Sequence, residues 1–106
     1  MWKNIKIRNT SGWVTVEALV SGIWAAHKAI GEPEDPDPGF DWTVTHVPTG
    51  MRLELGTITA NQATSVAGVL GRNVRLLRID KLIGDQWLIM SLAAVAIESA
   101  PRQEVS

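Results

Sequence analysis

Three prolines and two glycines fall within nine residues, Gly31-Glu32-Pro33-Glu34-Asp35-Pro36-Asp37-Pro38-Gly39. No helix or strand interior tolerates that density, because proline lacks an amide donor and glycine loses the most entropy on ordering. The stretch is therefore a loop, and it divides the chain into an N-terminal third and a longer remainder. Both flanks are apolar and the loop is short. It reads as an excursion within one domain covering residues 1–100, followed by a polar tail over 101–106.

At 106 residues, a folded chain buries roughly 65% of the surface that its unfolded form exposes. That suffices for a core without cross-links, and the sequence has no cysteine to make one. The same absence excludes thiol chemistry, iron–sulfur centres and cysteine-type zinc sites. A net charge of −1 argues against coating nucleic acid by bulk charge. The N-terminal run lacks the apolar segment of a secretory signal. The longest apolar run, Trp87 to Ile97, is too short for a bilayer. A cytoplasmic protein with no membrane contact is the simplest expectation.

Before the loop, β-branched residues dominate. Trp2, Ile5 and Ile7 sit among Lys3, Lys6 and Arg8 in a short strand of mixed pattern, and Asn9-Thr10-Ser11-Gly12 is a turn cluster. Val14, Val16, Ala18 and Val20 then alternate with Thr15, Glu17 and Leu19, which is a strand pattern. Ile23 to Ile30 reads as a further strand. A helical stripe through Val16, Leu19, Val20, Ile23 and Ala26 competes with this reading. Gly22 and the β-branched run favour strands.

After the loop, Trp42-Thr43-Val44-Thr45-His46-Val47 is a strand and Pro48-Thr49-Gly50 its turn. Met51, Leu53 and Leu55 form the returning strand of a hairpin, which Gly56 ends. Thr59 is placed to N-cap a helix through Leu70, with Gly71 as its C-cap. Val74 to Ile83 fits helix or strand equally, Gly84-Asp85 is a turn, and Trp87 to Glu98 is expected to be helical.

The run from Trp42 to Gly50, with Ile23-Trp24-Ala25-Ala26-His27-Lys28 before it, resembles small bacteriophage and prophage accessory proteins. These carry a Trp…Thr-His-x-Pro-Thr-Gly hairpin followed by an alanine-rich helix. The similarity covers residues 22–71. It implies a phage or mobile-element origin, and a role such as inhibition of a host defence component, for example an anti-CRISPR protein. It carries over no catalytic residue.

Candidate chemistry is sparse. His27 and His46 are the only histidines. Paired strands would bring them near each other, with Asp41 or Thr45 completing a metal or acid–base site. Their 19-residue spacing matches no metal motif, so a packing role is the expectation. No nucleophile elbow or phosphate loop is present. The reading is of no enzyme, no metal and no cofactor.

The most distinctive surface is acidic. Glu32, Glu34, Asp35, Asp37 and Asp41 fall within ten residues without an intervening base. Such a loop suits a host protein with a basic surface, and charge complementarity would speed the encounter. Arg72, Arg75, Arg78 and Lys81 form a basic set, the alternative nucleic-acid-binding site. Spacing by three drifts about 60° per step around a helix, so the four do not line one face. Five tryptophans, Trp2, Trp13, Trp24, Trp42 and Trp87, exceed what a core this small hides. Tryptophan is enriched at interface hot spots, so Trp42 or Trp24 beside the acidic loop is the expected anchor.

The sequence thus predicts an α+β fold. An antiparallel β-sheet forms from the N-terminal half, with two or three helices of the C-terminal half packed on one face. The expected function is a non-enzymatic, phage-type accessory protein that binds and inhibits a host protein. The anchoring residues would be Glu32, Glu34, Asp35, Asp37, Asp41 and Trp42. The alternatives are a nucleic-acid-binding module and a homo-oligomeric phage structural component.

Overall fold

The computed structural model describes residues 2–9, 12–30, 39–53, 55–73 and 86–100. The chain runs β1 (Trp2–Asn9), β2 (Gly12–Ser21), β3 (Trp24–Lys28), β4 (Trp42–His46), β5 (Met51–Arg52), α1 (Ala60–Arg72) and α2 (Gln86–Ser99). The five strands form one antiparallel sheet in the order of the sequence. The sheet curls until the Arg8 amide donates to the Gly50 carbonyl at 2.7 Å, which ties β1 to the β4–β5 turn.

Strand pairing follows the period-two pattern. Residues 14–21 and 24–28 lie in strands and not in a helix, in line with the β-branched run and Gly22, and the second strand is shorter than the expected Ile23 to Ile30. Ser21 pairs with Trp24, and Gly22 takes φ 61° in the two-residue turn between them. A two-residue hairpin of this hand needs that conformation, and glycine adopts it without steric cost.

Alternation gives the sheet two apolar faces. Leu19, Trp24, Ala26 and Val44 face one way and join Ala63, Val66, Ala67 and Leu70 of α1. Ile89, Ala93 and Ala96 of α2 complete that core. The four helical alanines let α1 and α2 approach closely, and Ser65 Oγ donates across to the Ala96 carbonyl at 3.1 Å. Ile5, Ile7, Ala18 and Ala25 form a second cluster from the opposite faces of their strands. Trp24, fully buried, anchors the first core. Burying roughly 200 Å² of indole is worth about 5 kcal/mol. Among the described residues its Nε1–H has no partner, a cost of about 1–3 kcal/mol, so burial still wins.

Two boundaries differ from the sequence expectation. The returning strand of the hairpin is two residues long and does not reach Leu55. Leu53 still donates to the Val44 carbonyl at 2.8 Å, and Ile58 takes the edge of β4 at Trp42. Trp42 and Ile58 exchange both backbone hydrogen bonds at 2.8 Å. At its start, α1 is capped as expected. Thr59 Oγ1 accepts from the Gln62 amide, and Gln62 Oε1 accepts from the Thr59 amide. At its end, Gly71 is not the C-cap. The helix continues through Arg72 to an extended Asn73. A β-carbon at Gly71 would lie 2.5 Å from the Ser21 carbonyl oxygen and 2.7 Å from its carbon, so glycine serves close helix–strand approach here.

The predicted helix near Trp87–Glu98 is α2. Residues 74–85 and 101–106 lie outside the described residues. Among the described residues no helix is long and apolar enough to cross a membrane.

Candidate functional site: an open groove between Trp2 and Trp42

The two histidines are not brought together. Trp24 pairs with His46 and His27 with Thr43, which places the rings on opposite faces of the sheet. His46 packs on Trp24 with ring centroids 5.0 Å apart, and its Nδ1 lies 2.9 Å from Thr49 Oγ1. His27 is buried beside Thr43 and Thr45. Its Nδ1 lies 2.8 Å from the Lys28 carbonyl, which only accepts, so Nδ1 carries the proton. Nε2 then accepts from the Thr45 hydroxyl at 2.7 Å. Burial holds the His27 pKa below the ordinary histidine value, against the smaller opposing effect of the Lys28 carbonyl. Among the described residues no group of three His, Asp or Glu side chains is placed to hold a metal ion.

This buried row gives a paired expectation. Thr43 Oγ1 has no hydrogen-bond partner among the described residues. Thr43→Val keeps the shape, removes the orphan oxygen and is expected to raise unfolding free energy by about 1 kcal/mol. Thr45→Val strips His27 Nε2 of its donor and should lower it by about 1–2 kcal/mol. Urea denaturation of both variants checks the opposite signs; shifts of the same sign would defeat this account.

The site with an open surface lies where β3 and β4 diverge. Ala29 donates to the Asp41 carbonyl at 2.8 Å, one step beyond the Lys28–Trp42 pair. The acidic segment leaves from this closed base. Residues 31–38 lie outside the described residues, and with them Glu32, Glu34, Asp35 and Asp37. Beside the base is an open groove of about 530 Å³, lined by Trp2, Glu17, Lys28, Ile30 and Trp42 among others. Trp2 and Trp42 meet edge to face, with centroids 6.1 Å apart and planes at 61°. Trp42 is half-buried and its backbone is fixed by Ile58, whereas Trp2 is 54% exposed. Lys28 Nζ is 3.9 Å from Asp41 Oδ2, with side chains 74% and 39% exposed, so the pair leaves both charges available.

Of the expected binding residues, Trp42 lines this groove, and Asp41 adjoins it through Lys28. Trp24, named as a second anchor, is instead buried in the core. Arg72 ends α1 and is exposed, while Arg75, Arg78 and Lys81 lie outside the described residues. Trp2 is not among the expected anchors. Its position follows from the Asn9–Gly12 closing pair of the first hairpin, which sets Trp2 opposite Leu19 on the helix-facing side. The turn cluster at 9–12 carried that signal.

Among the described residues the groove holds no nucleophile–base pair. Its walls are aromatic and aliphatic, and its lining carries one acid, Glu17, and one base, Lys28. No family model matches the chain, and neither a curated protein nor a solved structure matches it.

Proposed function

We propose that the chain is a protein-binding module whose docking surface is the Trp2–Trp42 groove together with the acidic segment beside it. The supporting observation is the pair of edge-to-face indoles lining an open groove at the foot of that segment. Exposed aromatic anchors next to concentrated charge are the chemistry of an interface hot spot. The partner is a protein presenting an apolar or aromatic side chain ringed by Lys and Arg. Trp42 supplies the fixed wall, Trp2 the adaptable one, and Glu32, Glu34, Asp35, Asp37 and Asp41 the attraction.

In its specific form the module is a phage-type accessory protein that inhibits a host protein by occupying a basic surface. That form rests on the resemblance of residues 22–71, and on the absence of a reactive constellation among the described residues. The test is a nuclease-treated capture from bacterial lysate, followed by titration of the retained partner. Trp42→Ala is expected to weaken binding about tenfold. Glu34→Gln, Asp35→Asn and Asp37→Asn together should flatten its salt dependence. Unchanged affinity in both variants would refute the groove as the docking surface. No captured protein, together with a salt-sensitive shift of added DNA or RNA that is lost on Arg72→Ala, would favour the basic set instead.

A further inference from the structure

We propose that the outer face of the β1–β2 hairpin binds a single strand of nucleic acid, with Lys6 and Arg8 on its phosphates and the Arg8–Trp13 stack against its bases. Strand register puts alternate residues of the hairpin on one face. Arg8 lies opposite Trp13, Lys6 opposite Thr15 and Asn4 opposite Glu17. All six are exposed, whereas Ile5 and Ile7 between them turn to the buried side. The Arg8–Trp13 end of this face is fixed. The Arg8 amide donates to the Gly50 carbonyl at 2.7 Å, and the Trp13 ring lies against Gly50, where a β-carbon would collide with it. The Arg8 guanidinium sits over the indole, 5.1 Å from its centroid. Both side chains are thereby held in place, yet Trp13 remains 54% exposed.

Charge and shape select the occupant. The chain's near-neutral total hides a segregation: residues 1–16 hold Lys3, Lys6 and Arg8 and no acid. Among the described residues Lys6 and Arg8 have no carboxylate partner. Two positions apart on one face, they stand about 7 Å from each other along β1. That is close to the separation of successive phosphates in an extended strand. Between Trp13 and Trp2 the face carries only polar and charged side chains, so it offers a protein partner no apolar seat. An indole and a guanidinium plane are instead surfaces on which unpaired bases stack. Glu17, the one acid of the face, adjoins Asn4, away from Trp13. Asp41 is farther still, beside the Trp2–Trp42 contact. Trp2 lies six residues from Arg8, about 20 Å along β1 and beyond a Debye length at physiological salt.

Fluorescence anisotropy of the full chain with a labelled oligothymidylate of about fifteen nucleotides tests this. A dissociation constant of roughly 1–100 µM is expected, the range of sequence-independent contacts. Two phosphate contacts on a single strand give a slope of about −1.4 in log affinity against log salt. Lys6→Gln should halve that slope; its side chain is exposed, so the fold tolerates the change. An abasic strand of the same length keeps the phosphates and lacks the bases. It should bind at least fivefold more weakly, with the same slope. Trp13→Ala should bring the affinity for oligothymidylate down to that for the abasic strand. Trp42→Ala should change nothing, which separates this face from the groove. No binding at 100 µM protein, roughly the upper limit for such contacts, would overturn the proposal. So would a slope indifferent to Lys6→Gln, or equal affinity for the abasic strand. Loss of binding on Arg72→Ala with Lys6→Gln silent would also overturn it, by moving the strand to α1.

Discussion

Replacing Gly71 with alanine is expected to lower unfolding free energy by about 2 kcal/mol, although alanine is the better helix former. Inside a helix the change from glycine gains about 1 kcal/mol. Here the added β-carbon would meet the Ser21 carbonyl oxygen at 2.5 Å and its carbon at 2.7 Å. Both are backbone atoms of β2, so no rotamer change relieves the contact. Either α1 moves off the sheet, loosening Leu70 and Trp24, or β2 bends at its last residue. Overpacking of this kind costs about 3 kcal/mol, which outweighs the propensity gain. Gly68 provides the contrast within the same helix. A β-carbon there meets only the flexible Arg72 guanidinium, at 3.2 Å. Gly68→Ala is therefore expected to add about 1 kcal/mol. Urea denaturation of the two variants reads the sign directly. If Gly71→Ala stabilises as Gly68→Ala does, the tight approach of α1 to Ser21 is wrong.

Gly71 also shows where the sequence stops being informative. A glycine after an apolar helical stripe is the usual mark of a helix end, and nothing local distinguishes it from a glycine needed for close contact. The atom that decides the matter, the Ser21 carbonyl, lies fifty residues away. The same holds for β5. Met51, Leu53 and Leu55 alternate as a strand should, yet Ile58 displaces the end of that strand by taking the Trp42 edge. Where the deciding forces are local, the reading holds. Thr59 and Gln62 form their reciprocal cap, Pro48-Thr49-Gly50 turns with Gly50 at φ 70°, and the strands before the loop alternate in register. Half of the candidate groove was legible for the same reason. Trp42 and Asp41 adjoin the loop in sequence, but Trp2 reaches the site only through two strand registers. His27 and His46 lie on neighbouring, paired strands, yet the odd offset between their ladder positions turns them to opposite faces.

Acidification is expected to destabilise the fold through His27, in a way that His27→Gln abolishes. The folded ring is buried and neutral, with its pKa held below the ordinary value by desolvation. In the unfolded chain a histidine titrates near 6.5. Above that pH neither state binds the proton, and the full stability is present. As pH falls below it, the unfolded chain takes up a proton that the folded chain refuses, so stability drops. The limiting slope for one proton is about 1.4 kcal/mol per pH unit, and it persists until the lowered folded pKa is reached. The Lys28 carbonyl and Thr45 hydroxyl fix the neutral tautomer at 2.8 and 2.7 Å, so protonation must also turn the Thr45 hydroxyl around. Between pH 7.5 and 5 the wild-type protein should lose up to about 2 kcal/mol more than His27→Gln, measured by urea denaturation at each pH. Other titrating groups act on both proteins alike and cancel in the difference. Parallel stability curves for the two proteins would show that His27 is as easily protonated folded as unfolded, and that the Thr45–His27–Lys28 row is wetter than its burial implies.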